Sequence, residues 1–251
     1  MNASQVTPEN CAPGHGLAGH ALYLDIDGTI LEIAQTPEVV RVPEWLLPLL
    51  RRLSLKLDGA LAFVSGRTLA SIDELFAPLK LPAIAVHGAE IRANEQHEIF
   101  GQPLAAQLQR ALPPLLAAVE RLRGVRLENK GSAVALHYRG APERGRDVLK
   151  LAELTLCELG AEFGLLVGKC VVEIRARHLN KGTALTRLME QPPFRGRTPI
   201  FAGDDNSDED AFAVVNRLGG ISVRVGAPAP TAATYRLADP DALRAWLAEI
   251  A

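Results

Sequence analysis

Five short apolar segments recur along the chain, and each gives way to glycine or to polar residues. They occupy residues 21–26, 59–67, 81–88, 198–205 and 221–226. The stretches between them, such as 42–57 and 68–79, have apolar residues at helical spacing. Continuous apolar strands that alternate with helices are typical of a parallel sheet that helices cover on both faces. The sequence therefore predicts a Rossmann-like, doubly wound α/β core.

Single residues add detail to this core. Pro48 should bend or interrupt the helix at 42–57, because proline removes a backbone donor. Asp239 and Pro240 should open the last helix as its N-cap and first helical residue. We expect Trp45 and Trp246 to lie in the core.

The middle of the chain, about 103–178, has a different pattern. It predicts a helix, a hairpin that turns at Lys130 and Gly131, a second helix, and a second hairpin that turns near Gly168. Such elements form a small α+β unit with an antiparallel sheet. We therefore divide the chain into a flexible tail at 1–19, a first core segment at 20–101, an inserted α+β domain at 102–178 and a second core segment at 179–251.

Composition and charge limit the partners of this chain. Its formal net charge is −2, and no block of lysine and arginine offers an electrostatic footprint for nucleic acid or an anionic membrane. No apolar run reaches the ~18 residues that a membrane-spanning helix needs. The three scattered cysteines fit neither a disulfide framework nor a zinc site, and the amino end lacks the features of a signal peptide. We predict a cytoplasmic monomer that binds neither nucleic acid nor membranes.

Acidic and hydroxyl side chains follow three of the apolar segments. In an open α/β sheet, ligands bind at the carboxyl ends of the strands. The candidates at that edge are Asp25, Asp27, Ser65, Asp204, Asp205 and Asp208. Carboxylates this dense repel one another unless a cation lies among them, and all-oxygen ligands suit Mg²⁺, which often shares its shell with a phosphate oxygen. The pattern predicts Mg²⁺-dependent phosphoryl transfer.

Each of these motifs has an ordinary explanation when it stands alone. DGT at 27–29 is typical of a turn, SGR at 65–67 of a serine that caps a helix, and DDNSDED at 204–210 of an acidic helix start. Their combination favours a site, because each polar group follows an apolar strand or opens a helix at one edge of one sheet.

In this order, the motifs resemble those of the haloacid dehalogenase superfamily of phosphotransferases. DIDGT at 25–29 matches the first motif, Ser65 of VSGR the second, Lys181 of NKG the third, and GDDNSDE at 203–209 the fourth. The inserted domain falls where that superfamily carries an α+β cap of type C2. The segments HGAEIR, LENKGSAVALHYR and GKCVVEIRARHLNKG make the chain most similar to the trehalose-6-phosphate phosphatase family.

The resemblance implies hydrolysis of trehalose 6-phosphate to trehalose and phosphate, a step of trehalose biosynthesis, through an aspartyl-phosphate intermediate. Asp25 would attack phosphorus, while Asp27 would protonate the leaving sugar oxygen and then deprotonate water. Ser65 would bind a phosphoryl oxygen, and Lys181 would balance charge.

The same resemblance implies a Mg²⁺ site. Its ligands would be Asp25, Asp204 and the backbone carbonyl of Asp27. Asp205 and Asp208 would contact the metal directly, through water, or from its outer sphere, and the sequence does not rank these possibilities.

Substrate recognition is expected from the cap and from the second motif. The candidates are Glu128, Lys130, Arg139, Lys169 and Glu173 in the cap, with Gly66 and Arg67 in the motif. The charged candidates suit the hydroxyls and dianion of a disaccharide phosphate, although charges paired across a hairpin are the alternative, evenly balanced for Arg139. Glu90 is a weaker candidate, and His87 and His137 are expected to be structural. We expect the cap to close over the core and exclude water.

Three other functions remain open at this point. Another capped sugar phosphatase, acting on a sucrose or hexose phosphate, would differ in its cap. A two-component receiver domain also clusters aspartates around Mg²⁺, but it predicts one domain of about half this length. A non-catalytic sugar-phosphate-sensing module is disfavoured, because every catalytic candidate named above is present.

Overall fold

The computed structural model describes residues 13, 16–33, 40–94, 97–100 and 102–251. The chain divides into two compact units: one comprises the chain up to Glu98 together with Asn180–Ala251, and the other comprises Ile99–Leu179. Most of the predicted tail at 1–19 lies outside the described residues. Within it, Leu17 is buried, and the Pro13 carbonyl accepts a hydrogen bond from the Trp246 indole.

Strands and helices alternate along most of the chain. The strands are β1 His20–Asp25, β2 Leu61–Val64, β3 Ala83–Ala85, β4 Glu90–Arg92, β5 His97–Ile99, β6 Arg126–Asn129, β7 Ala133–His137, β8 Phe163–Gly168, β9 Val171–Ala176, β10 Thr198–Gly203, β11 Ile221–Val225 and β12 Tyr235–Leu237. The helices are α1 Leu46–Lys56, α2 Leu69–Leu75, α3 Gln102–Val119, α4 Gly145–Leu159, α5 Lys181–Met189, α6 Glu209–Arg217 and α7 Pro240–Ile250. Within the described residues, no helix combines the length and apolar character needed to cross a membrane.

The larger sheet forms the centre of the first unit. Among the described residues, its strand order is β12, β11, β10, β1, β2, β3, β4, β5. Pairing is parallel from β12 to β3 and antiparallel between β3 and β4. Residues 21–24 of β1 have no exposed surface, as expected for a strand covered on both faces. The predicted doubly wound α/β core is confirmed, and it brings the carboxyl ends of β1, β2 and β10 to one edge.

Helix α1 is shorter than predicted. It begins at Leu46, so Pro48 lies in its first turn, where a missing backbone donor is tolerated and the helix continues. The prediction of a break was therefore wrong. Trp45 precedes the helix, outside the buried stripe that starts at Leu46, and is 53 % exposed, so its predicted place in the core was also wrong. Trp246 is buried as predicted, and Asp239 caps α7 as predicted.

The second unit has an antiparallel sheet with the order β6, β7, β9, β8 within the described residues. Helices α3 and α4 pack together, and Val134, Leu136 and Val172 from the sheet join them in one apolar core. Because side chains alternate along a strand, Ala135 and Glu173 belong to the opposite face. The predicted α+β unit is confirmed, including both hairpin turns.

Candidate active site

Two loops meet beyond the ends of β1 and β10. The loop after β1 turns back at once: the Gly28 N–H donates to the Leu31 carbonyl at 2.7 Å, and the Leu31 N–H donates to the Ile26 carbonyl at 2.9 Å. Gly28 has a φ of +89°, and a Cβ atom there would overlap the Asp204 carboxylate. Glycine at this position therefore lets the first loop pack directly against Asp204, the residue that follows β10.

Lys181 connects the two loops. It is the first residue of α5 and is 3 % exposed, and its Nζ donates to Asp25 Oδ1 at 2.8 Å and to Asp208 Oδ1 at 2.7 Å. A lysine in the first turn of a helix opposes the helix dipole. The two buried carboxylates compensate for this unfavourable placement, so the position of Lys181 is set by the site rather than by the helix.

Backbone and hydroxyl donors fix the carboxylates. Asp208 has no exposed surface, and its Oδ2 accepts from the backbone N–H groups of Asp204 and Asp205, both at 3.0 Å. The Thr29 hydroxyl lies 3.0 Å from Asp25 Oδ2 and 3.3 Å from Asp204 Oδ1, and its single proton serves one of them at a time. Among the described residues, Asp25, Asp204 and Asp208 present oxygen atoms within 4.8 Å of one another.

Burial and mutual repulsion shift the pKa values of this cluster. Burial raises the pKa of Asp25, and the charges of Asp208 and Asp204 add to the effect against the opposing attraction of Lys181. Burial, Asp208 and Asp205 raise the pKa of Asp204 to about 7. Burial likewise raises the pKa of Asp208. Burial alone would lower the pKa of Lys181, but Asp208 and Asp25 raise it well above its ordinary value, so the ammonium stays charged.

The cluster fits a divalent cation. When its three carboxylates are ionised, the single charge of Lys181 leaves two negative charges unbalanced, which a dication would neutralise. The ligands are all oxygen atoms, as a hard cation requires. Asp208 already accepts three hydrogen bonds, so Asp25 and Asp204 have more lone pairs left to coordinate a metal.

Asp205 plays a different part. Its Oδ1 accepts from the Ser207 N–H at 2.7 Å and from the Ser207 hydroxyl at 2.6 Å, which caps the 3₁₀ turn Asn206–Asp208. Burial alone would raise the pKa of Asp205, but Lys181 and the bonds from Ser207 outweigh it, so the pKa is lowered. These contacts favour an indirect role for Asp205 at a metal.

Asp27 is held by Arg67. The guanidinium donates from Nε to Asp27 Oδ2 and from Nη2 to Asp27 Oδ1, both at 2.7 Å. Ser65 is buried, and its hydroxyl accepts from the Arg67 N–H at 3.1 Å. We expected the Arg67 side chain to bind substrate. In the structure it donates two hydrogen bonds to Asp27, the predicted acid–base residue.

Gly66 is packed against a histidine. A Cβ atom on Gly66 would overlap the His87 ring. The His87 N–H donates to the Ser65 carbonyl at 3.0 Å, and the Val86 N–H donates to the Arg67 carbonyl at 2.9 Å. Val86 and His87 both have left-handed backbone, with φ of +46° and +51°, which is rare for a β-branched residue such as valine. This turn holds the second-motif loop in place, which supports the structural role predicted for His87.

In the second unit, charged residues share the sheet face opposite the helices. Glu128, Ala135 and Glu173 form a row across β6, β7 and β9. Lys130 donates to Glu173 at 2.7 Å, and the two side chains are 8 % and 3 % exposed. His137 Nε2 lies 2.7 Å from Glu128 Oε2, and this hydrogen bond lowers the pKa of Glu128.

The other two candidates lie at the ends of the hairpins. The Arg139 guanidinium donates to the Lys169 carbonyl at 3.3 Å, and the Lys169 side chain is exposed. All five predicted residues thus belong to one sheet or its turns. Lys130 contacts Glu173 directly, and Glu128 contacts His137.

A doubly wound core with an inserted α+β unit, and with a carboxylate cluster and buried lysine beyond its first strand, defines the class of capped α/β phosphatases. A family model described as trehalose-phosphatase matches residues 23–241. The chain belongs to the trehalose-phosphatase family.

Similar proteins cover nearly the whole chain. It is 44 % identical to the probable trehalose-phosphate phosphatase of Sinorhizobium fredii, with 92 % of this chain and 87 % of that protein covered. It is 42 % identical to the trehalose-6-phosphate phosphatase of Escherichia coli, with 92 % and 86 % covered. A crystal structure of a trehalose-6-phosphate phosphatase related protein has a TM-score of 0.77 and 28 % identity, and covers 90 % of this chain and 95 % of its own.

Proposed function

We propose that this chain hydrolyses trehalose 6-phosphate to trehalose and inorganic phosphate. The observation that carries the proposal is the contact of Lys181 with Asp25 and Asp208 beyond the end of β1. A buried ammonium beside a buried carboxylate can hold a phosphoryl group next to its nucleophile and balance the charge. The names of the relatives at 42 % and 44 % identity support the sugar phosphate as substrate.

Asp25 is the proposed nucleophile. One of its oxygens forms a bond to phosphorus while the bond from phosphorus to the sugar oxygen breaks, which gives an aspartyl phosphate. Lys181 holds Asp25 Oδ1, so the carboxylate is already oriented before the substrate arrives. Ser65, buried at the end of β2, would hydrogen-bond a phosphoryl oxygen.

Asp27 is the proposed general acid and base. Its carboxyl group gives a proton to the leaving sugar oxygen in the first step. In the second step it takes a proton from water, whose oxygen bonds to phosphorus as the Asp25–phosphorus bond breaks. One residue on the loop after β1 thus serves both proton transfers.

Mg²⁺ is the proposed cation, with Asp25, Asp204 and the Asp27 carbonyl as ligands. When bound, it would supply charge neutralisation on the phosphoryl oxygens. Asp208 would hold the Asp204 loop and Lys181 in position, and Asp205 would cap the following turn. A monomeric state and a cytoplasmic location stay predictions.

Mg²⁺ should stabilise the fold more at pH 8 than at pH 6. The pKa of Asp204 is raised to about 7, so the stability it contributes is complete below its ordinary pKa and is lost as the pH rises through about 7. Mg²⁺ relieves the repulsion that appears when Asp204 ionises. We expect a rise in Tm of about 5 °C with saturating Mg²⁺ at pH 8, and a smaller rise at pH 6.

Thermal unfolding in EDTA and in Mg²⁺ at the two pH values measures this effect. Asp204→Asn is the matched control, because it removes the titrating ligand, and its Tm should hardly respond to Mg²⁺. Equal Mg²⁺ shifts of the parent at both pH values would contradict the prediction.

The cap residues are proposed to recognise the sugar. Glu128, Lys130 and Glu173 lie on one sheet face, and the charge of Lys130 acts on both glutamates. A carboxylate row with an ammonium offers acceptors and donors for several hydroxyls. Arg139 and Lys169 would act at the edge of the same sheet, while Gly66 and Arg67 are less direct candidates, given their contacts with His87 and Asp27.

Replacing Lys130 by methionine should separate substrate recognition from chemistry. We expect kcat/KM for trehalose 6-phosphate to fall by about 10²-fold, because a buried donor and its charge are lost, and kcat/KM for p-nitrophenyl phosphate to change little. Lys150→Met, on the exposed surface of α4, is the matched control and should leave both values unchanged. Equal losses on the two substrates would argue against sugar recognition by Lys130.

Phosphate release from a panel of substrates tests the proposed function. The panel contains trehalose 6-phosphate, sucrose 6-phosphate, glucose 6-phosphate and p-nitrophenyl phosphate, each with Mg²⁺ and with EDTA. We expect a strong Mg²⁺-dependent preference for trehalose 6-phosphate. Preference for another sugar phosphate would support the proposed mechanism but assign a different substrate. No phosphate release from any compound would favour a sensing module.

A further inference from the structure

We propose that Arg67 is a positioning residue for the acid–base carboxylate of Asp27, an inference that rests on the function proposed above. Two parallel N–H···O bonds of 2.7 Å join the guanidinium to both oxygens of Asp27. This fork is the strongest and most directional arrangement of an arginine with a carboxylate. The Arg67 side chain is 9 % exposed, whereas that of Asp27 is 35 % exposed, so a buried group orients a more accessible one.

Arg67 is itself held by the loop that presents Ser65. Its backbone N–H donates to the Ser65 hydroxyl at 3.1 Å, and its carbonyl accepts from the Val86 N–H at 2.9 Å. Its Nη1 also donates to the Ser71 hydroxyl at 3.4 Å. The first-motif loop and the second-motif loop are thus connected through this one side chain, and the plane of the Asp27 carboxylate depends on the connection.

The contact matches the state of Asp27 between the two chemical steps. In the first step the Asp27 proton moves to the sugar oxygen as the Asp25–phosphorus bond forms and the phosphorus–sugar bond breaks. The resulting carboxylate can accept both bonds from Arg67, which only donates. In the second step Asp27 takes a proton from the attacking water, and one of the two strong bonds is given up. Arg67 therefore orients the carboxylate that takes the proton from water.

Loss of this contact should have an effect that depends on the leaving group. A sugar alkoxide is a strong base and needs the proton from Asp27 to depart, whereas p-nitrophenolate departs without it. A misplaced Asp27 would thus slow aspartyl-phosphate formation from the sugar phosphate but not from the aryl phosphate. It would also slow the attack of water on the aspartyl phosphate, whichever substrate formed it.

The test compares Arg67→Met and Arg67→Lys with the parent enzyme. We expect kcat/KM of Arg67→Met to fall by about 10²-fold or more for trehalose 6-phosphate and by less than about 10-fold for p-nitrophenyl phosphate. With the aryl phosphate, rapid mixing should reveal a burst that approaches one p-nitrophenolate per enzyme. Arg67→Lys keeps the charge without the fork, and it should show the same selectivity to a smaller degree.

Arg92 supplies a matched control. It forms a similar fork with Asp73, at 2.7 and 2.6 Å, and is 5 % exposed, but it has no proposed part in the chemistry. Arg92→Met should leave the ratio of the two kcat/KM values unchanged and give no burst beyond that of the parent.

Equal losses on both substrates without a burst, in Arg67→Lys as well as in Arg67→Met, would overturn the inference and assign Arg67 to substrate binding or to folding. The burst experiment uses only p-nitrophenyl phosphate, so its result does not depend on the identity of the sugar substrate. If the parent releases no phosphate from trehalose 6-phosphate, the proposed function fails, while the burst still decides the role of Arg67.

Discussion

Replacing Lys181 by methionine should lower the free energy of unfolding by about 3–5 kcal/mol at neutral pH, because it leaves Asp25 and Asp208 buried without their cation. The pKa values of both carboxyl groups are already raised by burial, and they would rise further without Lys181. A raised pKa contributes stability that is lost as the pH rises, so the destabilisation should be smaller in acid than at neutral pH. Activity should fall by at least about 10²-fold.

Urea unfolding at acidic and neutral pH measures this change. Lys80→Met is the matched control: Lys80 is 67 % exposed and lies 3.6 Å from Asp73, so its loss should cost no more than about 1 kcal/mol. If Lys181→Met were no more destabilising than Lys80→Met, the contacts of Lys181 would not hold the two loops together as described.

Replacing Asp25 by asparagine should reduce kcat at least about 10⁴-fold, because an amide cannot form the aspartyl phosphate and the remaining groups act only by binding. The side chain keeps its size, so Thr29 and Lys181 keep a neighbour of the same shape. Phosphate release measures the rate, and mass spectrometry after rapid quenching should detect a phosphorylated parent and an unmodified variant.

Asp58→Asn is the matched control for this substitution. Asp58 has an 81 % exposed side chain that pairs with Arg197, and its left-handed backbone, with φ of +50°, suits asparagine. This variant should keep the activity of the parent. A phosphorylated Asp25→Asn protein, or one that retains about a hundredth of the parent kcat, would place the nucleophile elsewhere.

The sequence predicted five of the eight strands described in the larger sheet and the edge where the carboxylates meet, but it did not indicate β4, β5 or β12. A buried strand that ends in Asp25, and another that ends before Asp204, leave few other arrangements for a parallel sheet. The hairpins of the inserted unit were readable because Gly131 and Gly168 mark their turns. These signals are local, and the rules of parallel α/β folds leave few ways to connect the strands they mark.

Contacts between distant residues were not predictable in the same way. Thr29 bridges Asp25 and Asp204, but in the sequence it is only the threonine of a common turn. The contact between the Arg67 guanidinium and Asp27 was not predictable, because nothing local reveals that the side chain reaches a residue 40 positions away. Trp45 was misplaced because helical periodicity does not say where a helix begins, and this helix begins at Leu46, the residue after Trp45.

The insertion between the two halves of the core also determines when an active site can exist during synthesis. Lys181 follows Asp25 by 156 residues, and β10 pairs with β1 across the same inserted unit. A nascent chain that has emerged only through Leu179 contains Asp25, the proposed nucleophile, and the complete second unit, but one side of β1 still lacks its parallel neighbour. An apolar strand with one unpaired side is prone to wrong pairing. Rapid pairing of β10 with β1 would shorten the time for which β1 is exposed in this way. The proposed active site can therefore form only after Lys181 and β10 have been synthesised.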